Sequence, residues 1–184
     1  MQKEFGLPFV IEVADKLFSG RVLEEKIFAV LMLENVPSQF GEKEFRLFES
    51  WLDRISSWAD HDGLAHYLIA PMVSAQPTRV QRVFMWSGSA DRWHRRAACV
   101  ALIYGTRQRQ FWPEIRRLSN SLLRDEDDMV QKGLGWLLRE TAKANPERAI
   151  PYLMKIRGKT SRLVLRTACE TLPARDRARI LARD

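Results

Sequence analysis

The chain has 184 residues, 46% of them hydrophobic, which is enough for one domain with a sizeable core. Its net charge of +7 is uneven: residues 1–90 carry 9 Lys/Arg against 12 Asp/Glu, whereas residues 91–184 carry 21 against 11. No apolar run approaches the ~18 residues of a membrane span, and neither a secretory leader pattern nor a GxxxxGK[ST] or GxGxxG loop occurs, which argues against nucleotide-cofactor chemistry.

The basic second half points to an anionic partner, nucleic acid being the commonest case. The two cysteines, Cys99 and Cys169, sit in apolar patterns without a CxxC, so a reduced, cytoplasmic setting is expected. The histidines His61, His66 and His94 show no metal-ligand spacing, and no metal or cofactor is expected.

Periodicity is helical nearly throughout. In Lys43–Ser56, residues Phe45, Phe48, Leu52 and Ile55 repeat at helical spacing. The segment Ser56-Ser57-Trp58-Ala59-Asp60-His61-Asp62-Gly63 then reads as a turn entering a helix. Asp60 is the simplest N-cap. Asp62 lies in the first turn, on a face shared with Trp58 four residues earlier.

A helix over 91–105 carries the stripe Trp93, Ala97, Val100, Ala101 and Tyr104, which assigns Trp93 to packing. Arg95 points away from the stripe, toward solvent or a phosphate. Arg96 lies at its edge, suited either to bidentate phosphate binding or to a structural ion pair. After a helix over Phe111–Leu123, the acids Asp125-Glu126-Asp127-Asp128 mark a helix N-terminus. The helix over 129–143 has its core stripe at Val130, Leu134, Leu137, Leu138 and Thr141. Trp136 is off that stripe, with Lys132, Arg139 and Lys143. Such a face can press an indole on a sugar or base while the cations meet phosphates, or can pack on the next helix. Asn145-Pro146-Glu147 is an N-cap with proline at the first helical position, and Gly158 with Thr160-Ser161 is another stop and start.

A period of about 35 residues aligns Lys26, His61, Arg96, Lys132 and Arg166 in the contexts LEEKIFAVLML, ADHDGLAHYLI, WHRRAACVALI, VQKGLGWLLRE and RLVLRTACETL. Such self-similarity predicts an all-α fold, an α-solenoid of HEAT-like helix pairs whose units bury their apolar faces on one another. No Gly-, Ser- or Pro-rich linker divides it, so residues 1–184 read as a single domain.

Three segments resemble the DNA alkylation repair family of HEAT-like repeat (AlkD-type) DNA glycosylases, over about residues 13–173. They are Ser57-Trp58-Ala59-Asp60-His61-Asp62, the run from Trp86 through Trp93 to Arg96, and the run from Met129 through Trp136 and Arg139 to Pro146. The resemblance implies a monomeric enzyme that hydrolyses the N-glycosidic bond of positively charged N3- or N7-alkylated purines in duplex DNA, without metal or organic cofactor. Asp62 takes the place of the catalytic carboxylate, Trp58 and Trp136 of the sugar-facing indoles, and Arg96 of the arginine that supports the site and the DNA backbone. Candidate phosphate contacts are Arg92, Arg95, Lys132, Arg139, Lys159 and Arg162. The family is held to act while the lesion stays outside a tight pocket, and nothing in the sequence suggests a pocket. Two departures stand out: the chain reads as shortened at its N-terminus relative to the family, and the acid that commonly follows the tryptophan is absent, which leaves Asp62 favoured over Asp60. The alternative reading is a non-catalytic repeat module that binds DNA structures or a protein partner.

Overall fold

The computed structural model describes residues 2–182, with side chains from residue 6 onward. Among these the regular elements are all helical. Helix α1 (Gln2–Phe18) pairs with α2 (Leu23–Leu33), and α3 (Glu42–Trp51) with the continuous helical run formed by α4 (Trp58–Asp62), a π-helical segment (Gly63–Ile69) and α5 (Ala70–Ala75). Then α6 (Val80–Ser87) pairs with α7 (Arg92–Val100), which is followed by the short α8 (Ile103–Thr106). Helix α9 (Trp112–Leu122) precedes α10 (Asp128–Ala144), α11 (Pro146–Ile156) precedes α12 (Arg162–Ala168), and α13 (Ala174–Leu181) closes the stack.

One helix of each pair, α2, α4, α7, α10 and α12, forms a continuous row in which α7 packs on α10 and α10 on α12. These helices begin at residues 23, 58, 92, 128 and 162, so the period of about 35 in the sequence is the step from one pair to the next. The expected all-α solenoid is thus the observed architecture. Its core runs the length of the row, from Phe18, Phe48 and Trp51 through Leu68, Val100 and Leu134 to Leu165.

Local chemistry sets this register. The last four helices of the row start at capping side chains. The Ser57 hydroxyl accepts from Ala59 N–H, the Asp91 carboxylate from Trp93 and His94, Asp127 from Met129 and Val130, and Ser161 from Val164. Each cap is worth about 1 kcal/mol, and four at one interval fix where every pair begins.

The repeated basic position then ties neighbouring pairs together. Lys26 donates to the Arg54 carbonyl in the turn before α4, His61 Nε2 lies 3.0 Å from the Trp93 carbonyl, and Arg96 donates to the Met129 carbonyl at 2.6 Å, the last two partners lying in the first turn of the next helix of the row. Lys26, His61 and Arg96 are all buried, whereas Lys132 and Arg166 at the same register are exposed.

Some expectations shift. The helix expected over 91–105 stops at Val100, the chain turns, and α8 begins at Ile103, which leaves Tyr104 exposed instead of on the core stripe. Asn145 does precede α11 and its proline, but its side chain caps nothing and its Oδ1 is buried without a partner.

Candidate functional site

The site grows from the start of α4. Ser57 is its N-cap, not Asp60, and Asp60 is the third residue of a capping box. The Asp60 carboxylate is fully buried. It accepts Ser56 N–H at 2.8 Å, Ser57 N–H at 2.7 Å and both serine hydroxyls, with Lys26 Nζ 3.4 Å away. Burial alone raises its pKa, but the bonds from Ser56 and Ser57 outweigh it, and the net shift is downward. Asp60 is therefore a structural anchor with no lone pair left for substrate.

Two residues on, Asp62 ends α4 just where the ladder widens into the π-helical segment, a local irregularity that frequently marks functional positions. Arg96 grips its carboxylate with a fork, Nε to Oδ1 at 2.9 Å and Nη2 to Oδ2 at 2.7 Å, and His61 Nδ1 lies 2.8 Å from Oδ1. Oδ1 thus faces two partners and Oδ2 one, so Oδ2 keeps a lone pair, and the side chain is 22% exposed. Burial pushes the Asp62 pKa up, yet His61 and Arg96 pull it further down, so the group is ionised at neutral pH. For His61, burial is the largest effect and lowers its pKa, against the opposing pull of Asp62.

The sequence left two roles open for Arg96, and the geometry selects the ion pair. Arg96 is 5% exposed, and Nε, Nη1 and Nη2 all have protein acceptors. It holds the carboxylate in place, the site-supporting half of the role expected of it. Gly133 on α10 makes room for it, since a Cβ there would come within 3.0 Å of Arg96 Cγ.

Asp62 opens onto a cleft of about 360 Å³, which helical spacing alone does not reveal. Its walls are Ile27, Val30, Leu31 and Glu34 from α2, Trp58 from α4, His66 and Tyr67 from the π-helical segment, and Trp136 from α10. Trp58 is largely exposed, while Trp136 is partly buried with its ring centroid 5.2 Å from that of His66. Asp62, Trp58 and Trp136, far apart along the chain, therefore share one cleft. Trp93 does not join them: it is buried beside His61 at 5.5 Å, as its stripe position predicts.

The expected phosphate contacts divide. Arg95 is engaged internally, with Nε on Asp125 at 2.7 Å and Nη1 on the carbonyls of Ser89 and Ala90. Arg139 is likewise held, between Glu140 and Glu170, and Lys143 is paired with Glu140, which neutralises much of the basic face around Trp136. Arg92 and Lys132 are exposed, with Asp127 3.5 Å from the one and an i,i+4 pair to Asp128 at 3.0 Å on the other. Arg162 is exposed and donates to the Leu181 carbonyl, and Lys159 is exposed.

Sequence reasoning missed His61, His66, Tyr67 and Glu34. His66 follows Asp62 by four residues and was within reach of a same-face argument. Glu34 belongs to another repeat, and only packing brings it to the cleft that Asp62 lines. A second cleft, about 420 Å³ around Arg46, Glu49, Asp53, Arg82 and His94, has one indole, Trp86, whose Nε1 donates to Glu49, and its arginines are paired with Glu49 as well. No group of three or more metal-ligating side chains occurs among the described residues, and none of their helices is long and apolar enough to cross a membrane.

No curated protein matches the chain. Among solved structures it is similar to a predicted DNA alkylation repair enzyme from Enterococcus faecalis, with a TM-score of 0.79 at 17% identity, covering 91% of this chain and 77% of that one. At such identity the likeness is one of fold. The sequence model of the DNA alkylation repair enzyme family matches residues 1–172, nearly the whole length over which the row of caps, the Arg96–Asp62 pair and the indole-walled cleft are built. The chain belongs to the DNA alkylation repair enzyme family.

Proposed function

We propose that the protein is a DNA glycosylase that removes positively charged N3- or N7-alkylated purines from duplex DNA, acting as a monomer. One observation carries the reading: an ionised carboxylate, Asp62, is held by the fork of Arg96, with His61 Nδ1 2.8 Å away, at the edge of a cleft walled by Trp58 and Trp136. A cationic purine is already a good leaving group. When the C1′–N bond breaks, its electron pair returns to the purine and neutralises the formal charge, so no general acid is required.

What remains is to stabilise the cationic sugar and deliver water to C1′. A fixed carboxylate and flanking π-faces suit both tasks, because preorganised charge aimed at a developing charge needs no reorganisation as the bond breaks. The lowered pKa of Asp62 makes it a weak base. It orients the water through the open lone pair of Oδ2 and stabilises the cation, and the water's proton leaves to solvent as the C1′–O bond forms.

The test is release of 7-methylguanine from N7-methylated duplex DNA by the purified protein and by Asp62→Asn. Removing one preorganised electrostatic group is expected to slow release about 10²–10³-fold. Release undiminished in the variant rejects the assignment of Asp62. The ion pair with Arg96 also favours a second reading, a non-catalytic module in which the carboxylate is purely structural. Salt-sensitive DNA binding without release by the unaltered protein selects it.

A further inference from the structure

Three acidic side chains line the cleft, and two of them are neutralised by the protein. Asp60 is surrounded by serine donors with Lys26 close by, and Asp62 lies in the fork of Arg96. The third, Glu34, has no hydrogen-bonding or ion-pair partner among the described residues.

Its position makes this conspicuous. Glu34 is the C-cap of α2, and the last turn of that helix contains no basic residue. A carboxylate at the negative end of a helix dipole is destabilising, and no hydrogen bond or ion pair among the described residues offsets it. Around it stand the apolar Ile27, Val30 and Leu31 and the aromatic faces of Tyr67, Trp58 and Trp136.

The remaining basic ring of the cleft, His66, adds no positive charge. Burial lowers its pKa, with Arg107 acting the same way against the opposing Asp62 and Glu140. Its Nδ1 is buried without a partner, so protonating it would bury an unsatisfied N–H. The cleft therefore carries one uncompensated negative charge among π-faces, the combination that selects a cationic guest over its neutral counterpart.

We infer that Glu34 is the charge-reading residue of the cleft, making it select a cationic alkylated purine over the same purine without its charge. This rests on the glycosylase reading for the identity of the guest, and a different residue from the one proposed to act at the sugar carries it.

The experiment uses the full chain and Glu34→Gln, which keeps the shape and removes the charge. The first measurement is thermal unfolding. Removing an unpaired carboxylate from a helix C-terminus leaves the melting temperature unchanged or raises it, and a fall means that Glu34 has a structural partner and overturns the inference. The second is quenching of tryptophan fluorescence by 7-methylguanosine, in mildly acidic buffer where it is a cation, against guanosine. The expected result is a preference for the cation that Glu34→Gln cuts about tenfold, while Leu31→Ala weakens both nucleosides alike. A preference that survives in Glu34→Gln, or is absent from the unaltered protein, overturns the inference. Release of 7-methylguanine from methylated duplex, run alongside, keeps the two claims apart. Release without a Glu34-dependent preference leaves the glycosylase reading standing and removes this one, and the preference without release does the reverse.

Discussion

Asp60 and Asp62 stand two residues apart, have the same chemistry, and do different work because different donors meet them. Asp60 is closed off by two serines and Lys26, whereas Asp62 is held from one side and left open on the other. Asp60→Ala is therefore expected to cost about 3–5 kcal/mol, by stranding buried donors and the Lys26 ammonium, as measured by urea unfolding. Arg96→Lys should fold, but it lacks the fork that fixes both oxygens of Asp62. Its rate of base release should fall at least about tenfold, as read in the same release assay as Asp62→Asn. Acid sensitivity follows from the same groups. His61 and His66 have lowered folded pKa values, so the unfolded chain takes up protons first and stability declines as pH drops below about 6.5. Asp60 and Asp62 are also lowered. Their contribution is present above the unfolded carboxylate value of about 3.9 and is lost as pH falls through the folded values. Thermal melts from neutral to acid pH should thus show two successive losses, and His66→Gln should reduce the earlier one.

At the scale of the element, the site depends on how closely α10 approaches its neighbours, and two glycines set that distance. A Cβ on Gly135 would stand 2.6 Å from Thr167 Cβ and 3.2 Å from the Val164 carbonyl, so Gly135→Ala must push α10 and α12 apart. The expected cost is about 1–3 kcal/mol, visible as a lower denaturation midpoint. Gly133→Ala meets the flexible Cγ of Arg96 instead, at 3.0 Å. Alanine recovers up to about 1 kcal/mol of helix propensity, so stability should change little. The displaced guanidinium takes Asp62 with it, and base release should fall. A variant that folds normally and loses activity separates positioning from folding.

Across the whole molecule, net charge is a poor guide to which cations are free to meet a phosphate. Arg95, Arg96 and Arg139 are satisfied within the protein, whereas Arg92, Lys132, Lys159 and Arg162 remain exposed. Four phosphate contacts from that set give a slope of log K against log salt of about −3 to −4, and Lys132→Ala should flatten it by about 1. Titrating duplex DNA at several salt concentrations measures both. A slope near zero points away from a DNA partner and toward a protein-binding scaffold.

The sequence by itself determined the solenoid. A period of about 35 residues and the start signals near Ser57, Asp127 and Ser161 are local properties of the chain, and helices obey local rules of spacing and capping. It also brought out Trp58, Asp62 and Trp136, because residue types at helical spacing are visible without coordinates. Tertiary structure decided the rest, since charge compensation is a matter of distances across repeats. Whether Arg96 meets a phosphate or Asp62 and whether Arg95 is free or bound by Asp125 are each settled by partners some thirty residues away, along the row of packed helices, and only that packing brings Glu34 to the same cleft as Trp136.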